Sequence, residues 1–188
     1  MSRQHVLSVL VDNSAGVLER VAGLISRRGF NIDSLSVGET GDPGVSRMTI
    51  IIACDDRAQD QIVQQLRKQV FVRKIQVLPA EARVMRELLL VKVSTKPQGG
   101  RPSARRAEIL DVANVFRAKA IDVSVDSLTL EITGEADKSE ALIRILDEYG
   151  ILEITRTGST ALGRGSGTIY DDEPEPGAVL AEDIHGRR

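Results

Sequence analysis

The chain has 188 residues, of which 41% are hydrophobic and 28% charged, a balance typical of soluble globular proteins of one ordinary domain or two small ones. Its formal net charge of −2 and aromatic content of 3% exclude the basic, aromatic-rich surface of a nucleic-acid-binding protein. No apolar run reaches the ~20 residues that span a bilayer, and no signal-peptide pattern precedes the first apolar run. The single cysteine excludes an intrachain disulfide. We therefore expect a cytoplasmic protein with no membrane or nucleic-acid partner.

Hydrophobic periodicity divides the first half of the chain into six elements in the order βαββαβ. The predicted strands cover residues 5–11, 31–38, 47–53 and 72–78, and the predicted helices cover 16–28 and 58–69. Gly29 is placed to end the first helix in the left-handed conformation. Asp55 and Asp56 are placed to cap the second. Pro79 and the charged residues up to Arg86 mark a boundary.

The second half repeats the same order of elements. Its predicted strands cover residues 88–94, 121–125, 127–133 and 151–156, and its helices cover 103–118 and 139–150, with Ser139 as an N-cap. The predicted fold is therefore α+β, with two tandem ferredoxin-like domains, each an antiparallel four-stranded sheet with two helices on one face. We expect domains at 4–79 and 86–165, followed by an acidic, disordered tail at 166–188.

Two segments of the predicted strands, residues 49–52 and 88–91, carry apolar residues on both alternating sets of positions. An antiparallel strand with one solvated face should alternate between apolar and polar residues. The sequence therefore predicts that the sheet face opposite the helices is buried by association with another copy.

The residue types that carry catalysis are sparse. The two histidines, His5 and His185, have no carboxylate or cysteine at metal-ligand spacing, and Cys54 ends an apolar strand as a structural cysteine does. The glycine-rich stretch 163–167 is not followed by a helix that could present a phosphate site. These patterns argue against an enzyme and against a metal site.

The turn between the first strand and helix is the most informative feature. The free N–H groups of a helix start attract a carboxylate, and Gly16 would let a ligand approach the backbone. Asn13 can accept a hydrogen bond from an ammonium group, and Asn31 stands beside Ile32 at the start of the next strand. Together they could hold a free amino acid. The alternative is that Asn13 only caps the helix and Gly16 only permits the turn.

Five segments carry a family resemblance that spans about residues 4–165. They are LSVLVDNSAGVLERVAGLISRRGFNIDSLSVGET (7–40), DPGVSRMTI (42–50), RELLLVKVS (86–94), RAEILDVANVFRAKAIDVSVDSLTLEITG (106–134) and EITRTGSTALGRG (153–165). The stretches at 28–32 and 46–49 are the most specific. In these segments the chain resembles the regulatory small subunits of acetohydroxyacid (acetolactate) synthase, which are built from ACT-type βαββαβ domains.

The resemblance implies a non-catalytic subunit that activates a large catalytic subunit and confers feedback inhibition by valine. Thiamine diphosphate, magnesium and FAD would belong to the catalytic subunit. The implied effector site lies between the N-terminal ACT domains of a homodimer, with Asn13, Gly16, Val17 and Leu18 from one chain and Asn31 and Ile32 from the other. Ala15 departs from the proline found in many members, so the turn would be less rigid.

Other interpretations remain open at this point. The chain could be a free-standing ACT-type amino-acid sensor that regulates transcription or another enzyme. It could be an RNA-binding βαββαβ protein, although residues 49–53 lack stacking aromatics. It could also be an unrecognised enzyme. The second domain has residues 96–102 where the first has its predicted ligand-binding turn, and we expect a degenerate or differently used site there.

Overall fold

Six elements form the N-terminal domain of the computed structural model, which describes residues 3–96 and 102–171. They are β1 (Arg3–Asp12), α1 (Val17–Ser26), β2 (Ile32–Glu39), β3 (Val45–Cys54), α2 (Asp56–Arg67) and β4 (Val72–Val77). The strands pair antiparallel in the order β2-β3-β1-β4. Leu7, Val9 and Ile50 meet Ile25 of α1 and Ile62 of α2 in the core, because strand alternation aims them all at the helical layer.

The C-terminal domain repeats this architecture. Its elements are β5 (Arg83–Ser94), α3 (Pro102–Phe116), β6 (Lys119–Val123), β7 (Ser127–Gly134), α4 (Ala136–Leu146), β8 (Ile151–Arg156) and β9 (Thr160–Gly163). The sheet order is β6-β7-β5-β8, antiparallel throughout, and Leu89, Val91 and Leu130 pack against Ile109 of α3 and Leu142 of α4. The predicted α+β fold with two ferredoxin-like units is confirmed.

Strand β5 begins inside the predicted boundary at 79–86, so the two domains are not separated by an irregular linker of that length. It begins at Arg83, and its first four residues pair antiparallel with β9, from Arg83 opposite Gly163 to Arg86 opposite Thr160. Strand β9 was not predicted. The division into domains at 4–79 and 86–165 stays a prediction. Strands β5 and β9 extend from the second sheet onto the first domain, so the two predicted units contact each other through these strands.

The outer face of the N-terminal sheet, opposite its helices, is covered by the same chain. The C-terminal segment, residues 157–171, runs over this face. Ala161 packs with Val6 and Ile51, and Ile169 packs with Leu10 and Val45. The prediction that association with another copy buries this face is therefore wrong for the N-terminal sheet.

Part of the predicted tail belongs to this cover. Ile169 is only 7% exposed, and the Thr168 N–H donates to the Asp171 carboxylate in a local turn. The prediction of a disordered tail is therefore wrong for residues 166–171, and residues 172–188 lie outside the described residues. In the C-terminal sheet, the outer face combines half-buried Leu90 with Lys92 and Glu131, an alternation compatible with solvent.

Helix boundaries test the predicted caps. Asp55 caps α2 as expected, with its Oδ1 accepting from the Ala58 N–H at 2.8 Å. Ser139 is not an N-cap, because α4 begins three residues earlier and buries this side chain completely. Gly29 follows α1, and Gly150 follows the short 3₁₀ turn Asp147–Tyr149 after α4; their φ angles of 78° and 80° lie in the positive region that favours glycine.

Candidate functional site

The turn from β1 into α1 is held by contacts from a distant loop. The Asn13 N–H donates to Gly44 O at 2.9 Å, and its side-chain Nδ2 donates to Glu39 Oε1 at 2.9 Å and to Pro43 O at 3.0 Å. Gly16 is the N-cap of α1, with φ of 79° and no side-chain cap. The alternative in which Asn13 merely caps the helix is therefore wrong, and its amide is instead positioned by the β2–β3 loop.

This arrangement leaves groups suited to a zwitterion. Both Nδ2 hydrogens of Asn13 are used, so its Oδ1 is the atom that can accept from an ammonium group. The first i→i−4 bond at the start of α1 is from the Arg20 N–H to Gly16 O at 3.1 Å. The preceding N–H groups of Leu18 and Glu19 make no backbone hydrogen bond to the described residues and can receive a carboxylate.

A surface depression of about 420 Å³ adjoins this turn. Ala15, Gly16 and Gly23 leave it open, and the two cations Arg20 and Arg27 outnumber the one carboxylate in its lining, that of Glu19. Arg20 is fixed there, because its guanidinium stacks 4.6 Å from the centre of the Phe71 ring. The positive charge and the helix start favour an anionic group in the depression.

The apolar residues of the predicted site divide into two groups. Val17 is buried in the core of the N-terminal domain, whereas Leu18 on α1 is 45% exposed. Ile32, at the start of β2, is half-buried against the core. Leu18 is therefore the side chain that this turn can offer to an aliphatic ligand, and Val17 supports the turn from inside.

Asn31 and Ile32 lie at the opposite end of the sheet from Asn13. In the strand register, Ile32 is opposite Ile52, whereas Glu39, which binds Asn13, is opposite Ser46. Six residues of β3 separate these rows, a span on the order of 20 Å. Asn31 is exposed and donates to Asp33 Oδ1 at 3.1 Å. One chain alone does not bring the six predicted site residues together.

Three residues that hold the candidate site in place were not predicted from the sequence. Glu39 and Pro43 orient Asn13 from 26 and 30 residues further along the chain. Arg73 supports the same turn, since its Nε donates to Asp12 Oδ1 at 2.7 Å and its Nη2 to Gly44 O at 3.4 Å. The turn-rich composition of residues 39–44 was the only local signal, and it does not specify a partner for Asn13.

Two residues considered for catalysis or metal binding, Cys54 and His5, are buried in the N-terminal domain. Cys54 is buried, and burial together with the nearby Asp55 and Asp56 carboxylates raises the pKa of its thiol above the ordinary value. His5 is buried with its Nε2 3.5 Å from Asp56 Oδ1. Across residues 3–96 and 102–171, no three histidine, cysteine or acidic side chains cluster as a metal site, and no helix is long and apolar enough to cross a membrane.

Comparison with known proteins finds the same family of proteins along most of the chain. Residues 7–74 match the family model of the ACT domain of acetohydroxyacid synthase small subunits, and residues 86–165 match the model of the small subunit of acetolactate synthase. A probable acetolactate synthase small subunit from Methanothermobacter thermautotrophicus is 47% identical over 165 residues, covering 88% of this chain and 95% of its own length. The acetolactate synthase small subunit of Mycolicibacterium smegmatis is 47% identical over 86% of this chain and 91% of its own.

A solved structure extends the agreement to three dimensions. The crystal structure of the acetolactate synthase small subunit from Thermotoga maritima is 41% identical to this chain and superposes with a TM-score of 0.78. The match covers 88% of this chain and 99% of that one, so both sheets are included. The chain belongs to the family of acetolactate synthase small subunits.

Proposed function

We propose that this chain is a non-catalytic regulatory subunit of acetohydroxyacid synthase in the cytoplasm. It binds the large catalytic subunit, raises its activity and makes it sensitive to feedback inhibition by valine, in the biosynthesis of isoleucine, valine and leucine. Thiamine diphosphate, magnesium and FAD are assigned to the large subunit. The family membership supports the regulatory role. The separation of Asn13 from Asn31 supports an effector site that is formed by two chains.

That separation favours a homodimer. Strand β2 is an edge strand, and its residues include neither proline nor lysine, two common means of preventing edge pairing. When two such edges pair antiparallel about a two-fold axis, the Ile32 end of one strand lies opposite the Glu39 end of the other. Asn31 and Ile32 of one copy then lie beside Asn13 of the second copy, and each dimer holds two equivalent sites.

Valine fits the chemistry of this composite site. Its carboxylate binds the free N–H groups of Leu18 and Glu19, where the α1 dipole and Arg20 add positive potential. Its ammonium group donates to Asn13 Oδ1, and the side-chain amide of Asn31 from the other chain donates its second hydrogen to the carboxylate. Its side chain packs between Leu18 of one chain and Ile32 of the other, so both chains contact the ligand.

Regulation follows from the shared position of the ligand. Valine that bridges two chains stabilises one arrangement of the dimer over others, and it reduces activation when the catalytic subunit prefers a different arrangement. The shift is limited by the difference in valine affinity between the two arrangements, typically about 1–3 kcal/mol for such coupling.

Isothermal titration of L-valine into the purified chain tests this function, followed by assays with the catalytic subunit. We expect saturable binding with about one valine per chain, because a two-fold dimer carries two sites. Asn13→Ala should remove this binding, and the exposed Asn114→Ala on α3 should leave it unchanged. Valine should then inhibit the complex that contains the unaltered chain but not the complex with Asn13→Ala. Binding that survives Asn13→Ala would contradict the proposed site.

A further inference from the structure

A second cavity, of about 460 Å³, lies where the C-terminal segment leaves the C-terminal domain and reaches the N-terminal sheet. Ser34 and Ile51 of the N-terminal domain line one side, and Met85, Glu87 and Arg156 line the other. This volume falls within the range of small-molecule sites. The cavity shares no residue with the depression beside Gly16, so it is separate from the effector site proposed above.

Glu87 is the unusual residue of this cavity. It is 6% exposed, and its Oε1 accepts no hydrogen bond from any described residue. The nearest cation is Arg156, whose Nη1 is 4.0 Å away, beyond hydrogen-bonding distance. Arg156 is held instead by Glu140, with its Nη2 2.7 Å from the Glu140 Oε1. Oε1 itself is enclosed by the protein, so a ligand can reach this carboxylate only from the cavity side. A buried carboxylate whose nearest cation is 4.0 Å away is costly, and a positively charged ligand beside it lowers that cost.

The remaining walls indicate what kind of donor fits. Glu87 and Asp33 give the lining two carboxylates against the single guanidinium of Arg156, so the lining is net negative and favours a cation. Ile51 and Met85 supply an apolar side, as part of the cluster that Ala161 closes. A ligand that carries a positive charge at one end and an aliphatic chain at the other matches both features.

We propose that this interdomain cavity binds a small aliphatic ammonium compound, whose –NH₃⁺ pairs with the Glu87 carboxylate from the cavity side and whose carbon chain contacts Ile51 and Met85. The ligand touches both domains, and it therefore stabilises their docked arrangement, because a ligand that binds only one arrangement favours it. This inference does not depend on the valine site, since no residue proposed to bind valine lines the cavity.

The test is a titration of the full chain with 3-methylbutylamine, followed by NMR of labelled isoleucine and methionine methyl groups. The amine has no carboxylate, so the helix-start site cannot hold it as it would hold an amino acid. The neutral control is 3-methylbutan-1-ol, which has the same branched carbon chain without the charge. We expect saturable shifts of the Ile51 and Met85 methyl signals with the amine and none with the alcohol.

Variants then test whether Glu87 is the residue that binds the ammonium group. Glu87→Gln should weaken amine binding about tenfold or more, because the amide oxygen can still accept a hydrogen bond but no longer carries the charge that pairs with the ammonium group. Glu153→Gln, a matched change at an exposed carboxylate that does not line the cavity, should leave the affinity unchanged, as should Asn13→Ala. The proposal is overturned if the amine causes no saturable shift, if the alcohol binds equally well, or if Glu87→Gln binds as tightly as the unaltered chain. If Glu87→Gln does not fold, the comparison of amine and alcohol binding to the unaltered chain still tests the proposal.

Discussion

The backbone N–H of Ser159 donates a hydrogen bond to Ser34 Oγ at 2.9 Å, across 125 residues of sequence. Ser36 Oγ completes the contact by donating to Ser159 O at 3.0 Å. Two side chains on the outer face of β2 thus bind both backbone groups of one residue in the C-terminal segment. The strand that begins with Ile32, a residue of the proposed valine site, is therefore in direct contact with the segment that leads from the C-terminal domain.

Removal of both serine hydroxyls should loosen this contact. The double variant Ser34→Ala/Ser36→Ala leaves the Ser159 N–H and C=O without partners, and we expect the free energy of unfolding to fall by about 1–3 kcal/mol. Urea denaturation measures the loss, and amide hydrogen exchange at Ser159 and Ala161 should accelerate. Ser26→Ala, at an exposed serine on α1, is the control. Equal stability of the double variant and the control would show that the contact contributes nothing.

Gly158 and Gly165 form a matched pair for testing close packing of the segment. Both have positive φ, 74° and 83°, so alanine at either position carries a backbone penalty of about 1–2 kcal/mol. At Gly158 an added Cβ would also lie 2.9 Å from Leu35 O, whereas nothing lies within 4 Å at Gly165. Gly158→Ala should therefore cost about 1–3 kcal/mol more than Gly165→Ala in urea denaturation. A smaller loss at Gly158 than at Gly165 would mean that the segment does not approach Leu35 this closely.

Ile169 tests whether the C-terminal end of the segment contributes to the core. Its side chain is 7% exposed against Leu10 and Val45, and truncation to alanine should cost about 2–4 kcal/mol. Leu162→Ala removes a similar side chain that is 56% exposed on β9, and it should cost less than about 1 kcal/mol. Thermal unfolding compares the two variants. Equal melting temperatures would place Ile169 in solvent.

Cys54 should react slowly with iodoacetamide in the folded chain. The thiolate is the reacting species, and burial together with Asp55 and Asp56 raises the pKa of this thiol. Because the folded pKa lies above the unfolded one, ionisation of Cys54 lowers stability as pH rises through the unfolded pKa. At pH 8 we expect alkylation to be strongly accelerated by urea, as measured by mass spectrometry. Equally fast alkylation with and without urea would contradict the buried position.

The order of strands and helices could be predicted because it depends on periodicity and on local turn residues such as Gly29 and Gly150. The covering of the N-terminal sheet by the C-terminal segment could not be predicted in this way. Strand β9 has only four residues, and Thr49, whose Oγ1 accepts from the Ala161 N–H, is a polar residue buried by a segment 112 residues away. Asn13 is proposed as a site residue from its type and position, but its partners Glu39 and Pro43 come from a distant loop that the sequence does not connect to it. Contacts between sequence-distant segments leave no periodic signal in either segment.

The most direct test of the central claim is valine titration into two variants, Asn13→Ala and Asn31→Ala, separately and after they are mixed and allowed to exchange subunits. Each variant alone should lose binding, because every composite site contains one altered residue. A dimer with one chain of each kind has one site that carries both changes and one site that carries neither, so an equal mixture should recover roughly one quarter of the sites at unaltered affinity. No recovery in a mixture that has exchanged subunits would mean that the site does not combine these residues across two chains, and the proposed mechanism would be contradicted.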